Sequence, residues 1–236
     1  SALAMMVAGP LSDRFGRRTV LKAAAILYFI SALSSAFAPT FALLVAARMI
    51  GGLGVGASLI LAPMYIAEIS PSNIRGRMVS FNQLNIVIGI SAAFFTNYMI
   101  LQWAQSDASW AQSLMFSEYT WRWMLGLETL PAILYFIGLF FVPVSPRWQI
   151  LVGKTADAKK TLVNLVGEKE AEKQLQDAIK SLEADKNREK VSIKEIFQPA
   201  LRLVLLVGVS LAILQQITGI NSVFFYAPMI FEQSGI

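Results

Sequence analysis

The sequence predicts an all-α protein built to sit in a membrane, and three observations carry that prediction. Of its 236 residues 56% are apolar and only 15% charged, against about a quarter charged in ordinary soluble domains. The apolar residues form runs near the length of a membrane-crossing helix, about 20 residues. The basic residues fall on every second connection between those runs.

The elements follow in order. Ser1–Ala8 is apolar but too short to cross a bilayer, and it lacks the basic flank and small-residue cleavage site of a signal peptide. It reads as the end of a helix whose beginning lies outside this chain. Complete spans are expected at Val20–Ala38, Phe41–Glu68, Met78–Leu101, Trp123–Val142 and Leu201–Tyr226. Each is hydrophobic nearly all round, as helices facing lipid or other helices are. Three parts result: a bundle over 1–144, a helical linker over 145–199, and the first helix of a second bundle over 200–236.

Arg14, Arg17, Arg18 and Lys22 occupy one connection, and Arg75 and Arg77 the next but one. Eleven further Lys and Arg residues lie between Arg147 and Lys194. Pro39-Thr40 and the stretch from Gln102 to Thr120 carry none. This alternation is the positive-inside pattern, which places 9–18, 70–77 and 145–199 in the cytoplasm. It also accounts for the net charge of +5 without nucleic acid. The linker's Ala158, Leu162 and Leu165, and its Leu175, Ile179 and Leu182, recur at helical spacing. The remaining faces mix Lys and Glu, so short amphipathic helices are expected there.

The absence of Cys and His excludes disulfides, Cys/His metal sites and histidine catalysis. No acidic cluster suits hydrolytic catalysis, and neither metal nor organic cofactor is expected. Polar residues inside the apolar runs therefore carry the functional reading. Gln215, Gln216 and Asn221 lie in the run from Leu203 to Tyr226. Amides buried in hydrocarbon need polar partners. They serve either as glue between helices or as donors and acceptors for an uncharged, polyhydroxylated ligand. At about 100° per residue, Gln215, Thr218, Ser222 and Tyr226 share a face while Gln216 and Asn221 lie off it. Local unwinding would bring the amides together, and Gly219 is the place for it.

Arg48 sits inside an apolar helix and needs a carboxylate or a wet cavity. No acid in the chain is an obvious partner, so one is expected on a preceding helix. The glycines that follow, in Ala47-xxx-Gly51 and Gly52-xxx-Gly56, suit close helix packing rather than a dinucleotide loop. Glu128 lies about 10 Å along its helix from Arg122. Either it is a proton-relay carboxylate, or it is a partly hydrated group or one member of a structural pair. Asp13 and the arginines of Gly9–Arg18 form a candidate ion-paired latch, and Glu68 and Arg75 are expected to pair across their connection. An exposed pair of that kind is worth about 0–1 kcal/mol, weak enough for a gate.

Gly9–Arg18 resembles the loop signature of the major facilitator superfamily. Pro63–Gly76, Pro143–Trp148 and Gln215–Asn221 resemble the PxYxxE…RG, PxSPRW and QQxxGIN motifs of its sugar porters. The match runs from the end of that family's second helix through its seventh. It implies part of an N-terminal six-helix bundle, the cytoplasmic linker and the first helix of the C-terminal bundle.

The resemblance also implies site roles. Gln83, Gln215, Gln216 and Asn221 correspond to sugar-hydroxyl ligands, and Tyr226 to an aromatic that closes over the sugar. Phe225 stands where a second Tyr is frequent. Glu128 with Arg48 corresponds to proton coupling, and Asp13, Arg17, Glu68, Arg75 and Arg147 to the cytoplasmic gate. Val144 replaces a usual Glu beside Arg147, which either weakens that gate or calls on another acid. The implied function is alternating-access transport of a monosaccharide or polyol by a monomer in the plasma or bacterial inner membrane. Proton symport is expected; a facilitative uniporter and a non-transporting sugar sensor are the alternatives.

Overall fold

The structure, a computed structural model, describes residues 1–71, 73–106, 109–187 and 199–219, together with Ser222 and Tyr226. Among the described residues every regular element is a helix. The chain divides into two compact units, Ser1–Leu182 and Glu183–Ile236.

The first unit opens with α1 (Ala2–Phe15), α2 (Arg17–Ala36), α3 (Phe41–Ile69) and α4 (Arg75–Ala104). A short α5 (Ser109–Ser113) precedes α6 (Thr120–Gly126) and α7 (Thr129–Phe141), which are separated by a turn at Leu127–Glu128. The span expected from Trp123 is therefore one apolar rod of Thr120–Phe141 with a break in it. With α2, α3 and α4 it makes four stretches long and apolar enough to cross a membrane among the described residues.

Small residues let these helices approach. Ala24, Ala25, Ser31, Ala32 and Ser35 form the buried face of α2. Ala47, Gly51 and Gly54 are buried on α3. A Cβ at Gly51 would meet Ser31 Oγ at 2.5 Å, and one at Gly54 would lie 3.0 Å from the Ala24 carbonyl oxygen. Gly56 packs against α1, with Ala4 Cβ 2.9 Å from a Cβ built there. The glycine stripe thus serves two neighbours, as close van der Waals packing in a membrane requires. Above it, Val20, Leu21, Ala25, Leu61, Tyr65 and Leu139 form the main core.

Capping fixes where elements begin. Thr40 Oγ1 accepts from the Leu43 amide at 3.3 Å to start α3, and Ser145 Oγ accepts from the Trp148 amide at 3.2 Å to start α8 (Pro146–Leu151). Pro146 occupies the first turn of α8, where a missing N–H costs nothing. Beyond it lie α9 (Thr155–Val166) and α10 (Glu168–Asn187). Ala158 and Leu162 pack on Ala171 and Leu175, with Val163, Val166 and Ile179 around them. The amphipathic reading of this region is what the structure contains.

Lys159 and Glu172 join α9 to α10 at 2.6 Å. The hydrogen bond and charge of Lys159 hold the Glu172 carboxyl below its ordinary pKa. Glu172 raises the Lys159 ammonium in turn, again through the hydrogen bond first.

In the second unit α11 runs over Pro199–Ile217. The continuous helix expected to reach Tyr226 stops at Ile217, followed by a turn at Thr218. Gly219 has φ of 67°, a left-handed conformation that a side chain disfavours. Ser222 and Tyr226 are helical.

Candidate functional site

Two polar clusters lie in the first unit. The first surrounds the loop between α1 and α2, where Gly16 turns the chain at φ of 90°. That turn aims the Arg17 guanidinium back across α1 and toward the end of α3. Its Nη1 reaches Asp13 at 2.6 Å and also donates to the Ser12 carbonyl at 3.2 Å. Its Nε lies 3.1 Å from Glu68 Oε2. The Arg17 and Glu68 side chains are only 7% and 8% exposed. Ser145 Oγ donates to Glu68 Oε2 at 2.5 Å, so the hydroxyl that caps α8 also satisfies the carboxylate. An ion pair this buried needs such extra hydrogen bonds to offset desolvation.

Three further contacts tie the same end together. Trp148 Nε1 donates to the Asp13 carbonyl at 3.0 Å, and its ring packs 3.1 Å from where a Gly16 Cβ would stand. The Tyr65 hydroxyl donates to the Pro143 carbonyl. Arg18 donates to the carbonyls of Leu139 and Phe140 at 2.6 and 2.8 Å, satisfying the last turn of α7.

Beside this cluster is a cavity of about 590 Å³ between the ends of α3 and α4 and the helices α8 to α10. Glu68, Arg75, Arg147, Glu170, Lys173 and Asp177 line it. The expected Glu68–Arg75 ion pair is not formed among the described residues. Glu68 turns instead to Arg17 and Ser145, because α8 docks on its other side. Glu170 and Asp177 bring acids from α10 to the cavity that Arg147 lines, where Val144 supplies none.

The second cluster is more open, its Arg48 and Glu128 side chains 40% and 50% exposed. Arg48 Nη1 and Nη2 donate to the two carboxylate oxygens of Glu128 at 2.7 and 3.1 Å, a bidentate pair. The expectation that no acid of this chain serves Arg48 is thereby corrected. Both α3 and the α6–α7 rod pack on α2, which brings together groups that sequence distance hides. The pair opens on a cavity of about 580 Å³ that Tyr28, Ser31 and Tyr135 also line.

Gln83 is exposed on α4. In the second unit Gln215 and Gln216 occupy the last turn of α11, and Thr218 Oγ1 donates to the Gln215 carbonyl at 2.7 Å. Tyr226 is 55% exposed. Asn221 and Phe225 lie outside the described residues. No group of three or more His, Cys, Asp or Glu suited to a metal occurs among the described residues. Sequence reasoning missed Tyr65, Ser145 and Trp148 as individual contributors, although each stands inside a motif that it quoted.

The profile of the family described as "Sugar (and other) transporter" matches residues 1–236. The chain belongs to this family. It is 38% identical to the arabinose-proton symporter of Bacillus subtilis over 97% of this chain and 47% of that protein. It is also 38% identical to the D-xylose-proton symporter of Escherichia coli, over 96% of this chain and 48% of that one. Among solved structures, the partially occluded inward-open xylose transporter XylE from E. coli superposes with a TM-score of 0.79 at 36% identity, covering 97% of this chain and 52% of that chain. The major facilitator fold and an integral membrane setting follow from these matches and the apolar helices. The chain spans about half the length of the relatives it matches.

Proposed function

We propose that the protein to which this chain contributes about half carries a monosaccharide or polyol across a membrane by alternating access, coupled to protons. The bidentate Arg48–Glu128 pair on an open cavity between membrane-length helices carries this reading. A carboxylate held there by an arginine can accept a proton only by giving up that ion pair. Protonation and local helix arrangement are thereby linked. The two relatives named above as proton symporters of arabinose and xylose support the same chemistry.

In this reading Gln83, Gln215, Gln216 and Asn221 bind sugar hydroxyls, Tyr226 closes over them, and Gly219 supplies the hinge. The left-handed Gly219 after the end of α11 supports that last role. The cluster of Asp13, Arg17 and Glu68, with Arg75 and Arg147 on the adjoining cavity, is the inward gate. The loops at 9–18, 70–77 and 145–199 then face the cytoplasm across a plasma or bacterial inner membrane. Residues 1–144, 145–199 and 200–236 act as bundle, linker and start of the second bundle, within a protein that functions as a monomer. Protons are its coupling ion, and its role is transport rather than catalysis.

The test is uptake of labelled xylose, arabinose and inositol by the full-length protein in liposomes with an imposed pH gradient. Glu128→Gln is expected to abolish uphill accumulation while leaving counterflow exchange. Uphill uptake that persists in this variant refutes the coupling role. A wild type that accumulates nothing but equilibrates sugar is a uniporter.

A further inference from the structure

A third cavity, of about 650 Å³, lies at the far end of α2 from the Arg17 cluster. It runs between that end of α2, the segment after α5, and α6. Its walls are apolar: Leu33 and Phe37 from α2, Leu114 and Met115 from the connection, Trp123 and Leu127 from the α6 region. Phe37 is 73% exposed. Arg122 stands at the rim, the lone Lys or Arg between Arg77 and Arg147.

Arg122 is held but not satisfied. Its Nη2 donates to the Ala38 carbonyl at 3.3 Å, which fixes the side chain to the end of α2. The rings of Tyr119 and Trp121 lie 5.0 and 5.1 Å from its Cζ. Its Nε is buried and has no hydrogen-bond partner among the described residues. Thr129, seven residues on and so about 10 Å deeper along the rod, also lines the cavity. Its hydroxyl is likewise buried without a partner. A buried donor left unmade costs about 1–3 kcal/mol, and the two residues that carry them both line one apolar groove.

By helix length and aromatic content this end of α2 fits a membrane–water interface. The twenty residues of α2 span about 30 Å, the thickness of the hydrocarbon layer. Trp103, Trp110, Phe116, Trp121 and Trp123 cluster around the same end, as an aromatic belt does. The groove therefore offers a guanidinium at headgroup level, a hydroxyl below it, and an apolar wall below and beside both.

We propose that this groove is a binding site for one glycerophospholipid, its phosphodiester on Arg122, its ester region toward Thr129, and an acyl chain along Leu33, Phe37 and Leu127. The anionic phosphate answers the single cation, and the chain answers the apolar wall. A soluble anion would leave that wall bare, and an alkane would leave both donors unmet. The site is independent of the Arg48–Glu128 pair and of the sugar.

The experiment is photolabelling of the full-length protein in liposomes containing a trace of phosphatidylglycerol with a diazirine in one acyl chain, followed by peptide mapping. Labelling is expected to concentrate on the peptides around residues 33–37 and 114–127. Arg122→Gln should reduce it about ten-fold, the loss of one charge-assisted hydrogen bond, while Arg122→Lys keeps much of it. Ala36→Leu, which fills the groove without touching the cation, should reduce it too. Melting temperatures of the variants, followed by tryptophan fluorescence, separate loss of the site from loss of the fold. The proposal is overturned if folded Arg122→Gln labels like the wild type. It is overturned equally if a phosphate-free alkyl diazirine marks the same peptides with the same dependence on Arg122, or if labelling spreads evenly over the exposed face of α4.

Discussion

Arg17 and Glu68, fifty-one residues apart, meet at 3.1 Å with both side chains almost fully buried. Three elements converge on this contact: the turn after α1, the end of α3, and the start of α8 through Ser145. Removing Arg17 strands the Glu68 carboxylate out of water, which costs about 3–5 kcal/mol. Arg17→Ala is expected to lower thermal stability by that order, and Glu68→Ala by less, because Asp13 still pairs with Arg17. Replacing both with apolar residues should cost less than the two single losses combined. Denaturation of the four proteins in one detergent supplies the cycle, and strict additivity would speak against direct coupling.

Ser145 serves two acceptor and donor roles at once, capping α8 and bonding Glu68. Loss of a cap costs about 1 kcal/mol, and a hydrogen bond to a charged group is worth about 1.5–3 kcal/mol. Ser145→Ala should therefore destabilise by about 2–4 kcal/mol, and Ser145→Thr should recover most of it. A melting comparison decides this, with equal losses for Ala and Thr as the adverse result.

Gly54 has the Ala24 carbonyl oxygen 3.0 Å from the place a Cβ would occupy. Backbone does not move aside cheaply, so Gly54→Leu should push α2 from α3 and cost about 1–3 kcal/mol. Gly138, with nothing within 4 Å of its Cβ position, is the control. If Gly138→Leu proves as harmful as Gly54→Leu in thermal melting, close packing is not the reason for the glycine.

The Lys159–Glu172 link gives a pH dependence of definite sign. Glu172 has a lowered pKa when folded, so its contribution is present above the ordinary carboxylate pKa and is lost as pH falls through the lowered value. Lys159 has a raised pKa, so its contribution is full below the ordinary lysine pKa and is lost only as pH rises through the raised value. Amide exchange of α10, corrected for intrinsic rates, should therefore speed up on acidification. Glu172→Gln should remove that acid response. Both groups are solvent-exposed, so the effect is confined to α9 and α10 rather than the bundle.

Run length and charge alternation made the helical architecture legible, because a bilayer imposes both on any chain that crosses it. The motifs located the polar clusters, yet partner choice escaped. Arg48 and Glu128 are each conspicuous, but eighty residues separate them and no periodicity encodes that α3 and the α6–α7 rod pack on the same α2. The sequence places Glu68 opposite Arg75, its neighbour across a short connection. It bonds Arg17 and Ser145 because helix packing, not loop proximity, decides what reaches its carboxylate. The apolar pattern of Leu201–Tyr226 concealed the end of α11 at Ile217, although the wheel mismatch of the amides pointed at Gly219.

Trp148 covers the Gly16 turn with its ring and holds the Asp13 carbonyl with its indole N–H. The turn that joins α1 to α2 is therefore not free to flex by itself. For those two helices to part, the indole has to leave its seat or α8 has to travel with them. A side chain on a surface helix thus acts as a mechanical reporter of the membrane bundle, and quenching of Trp148 fluorescence reads when that seat is vacated.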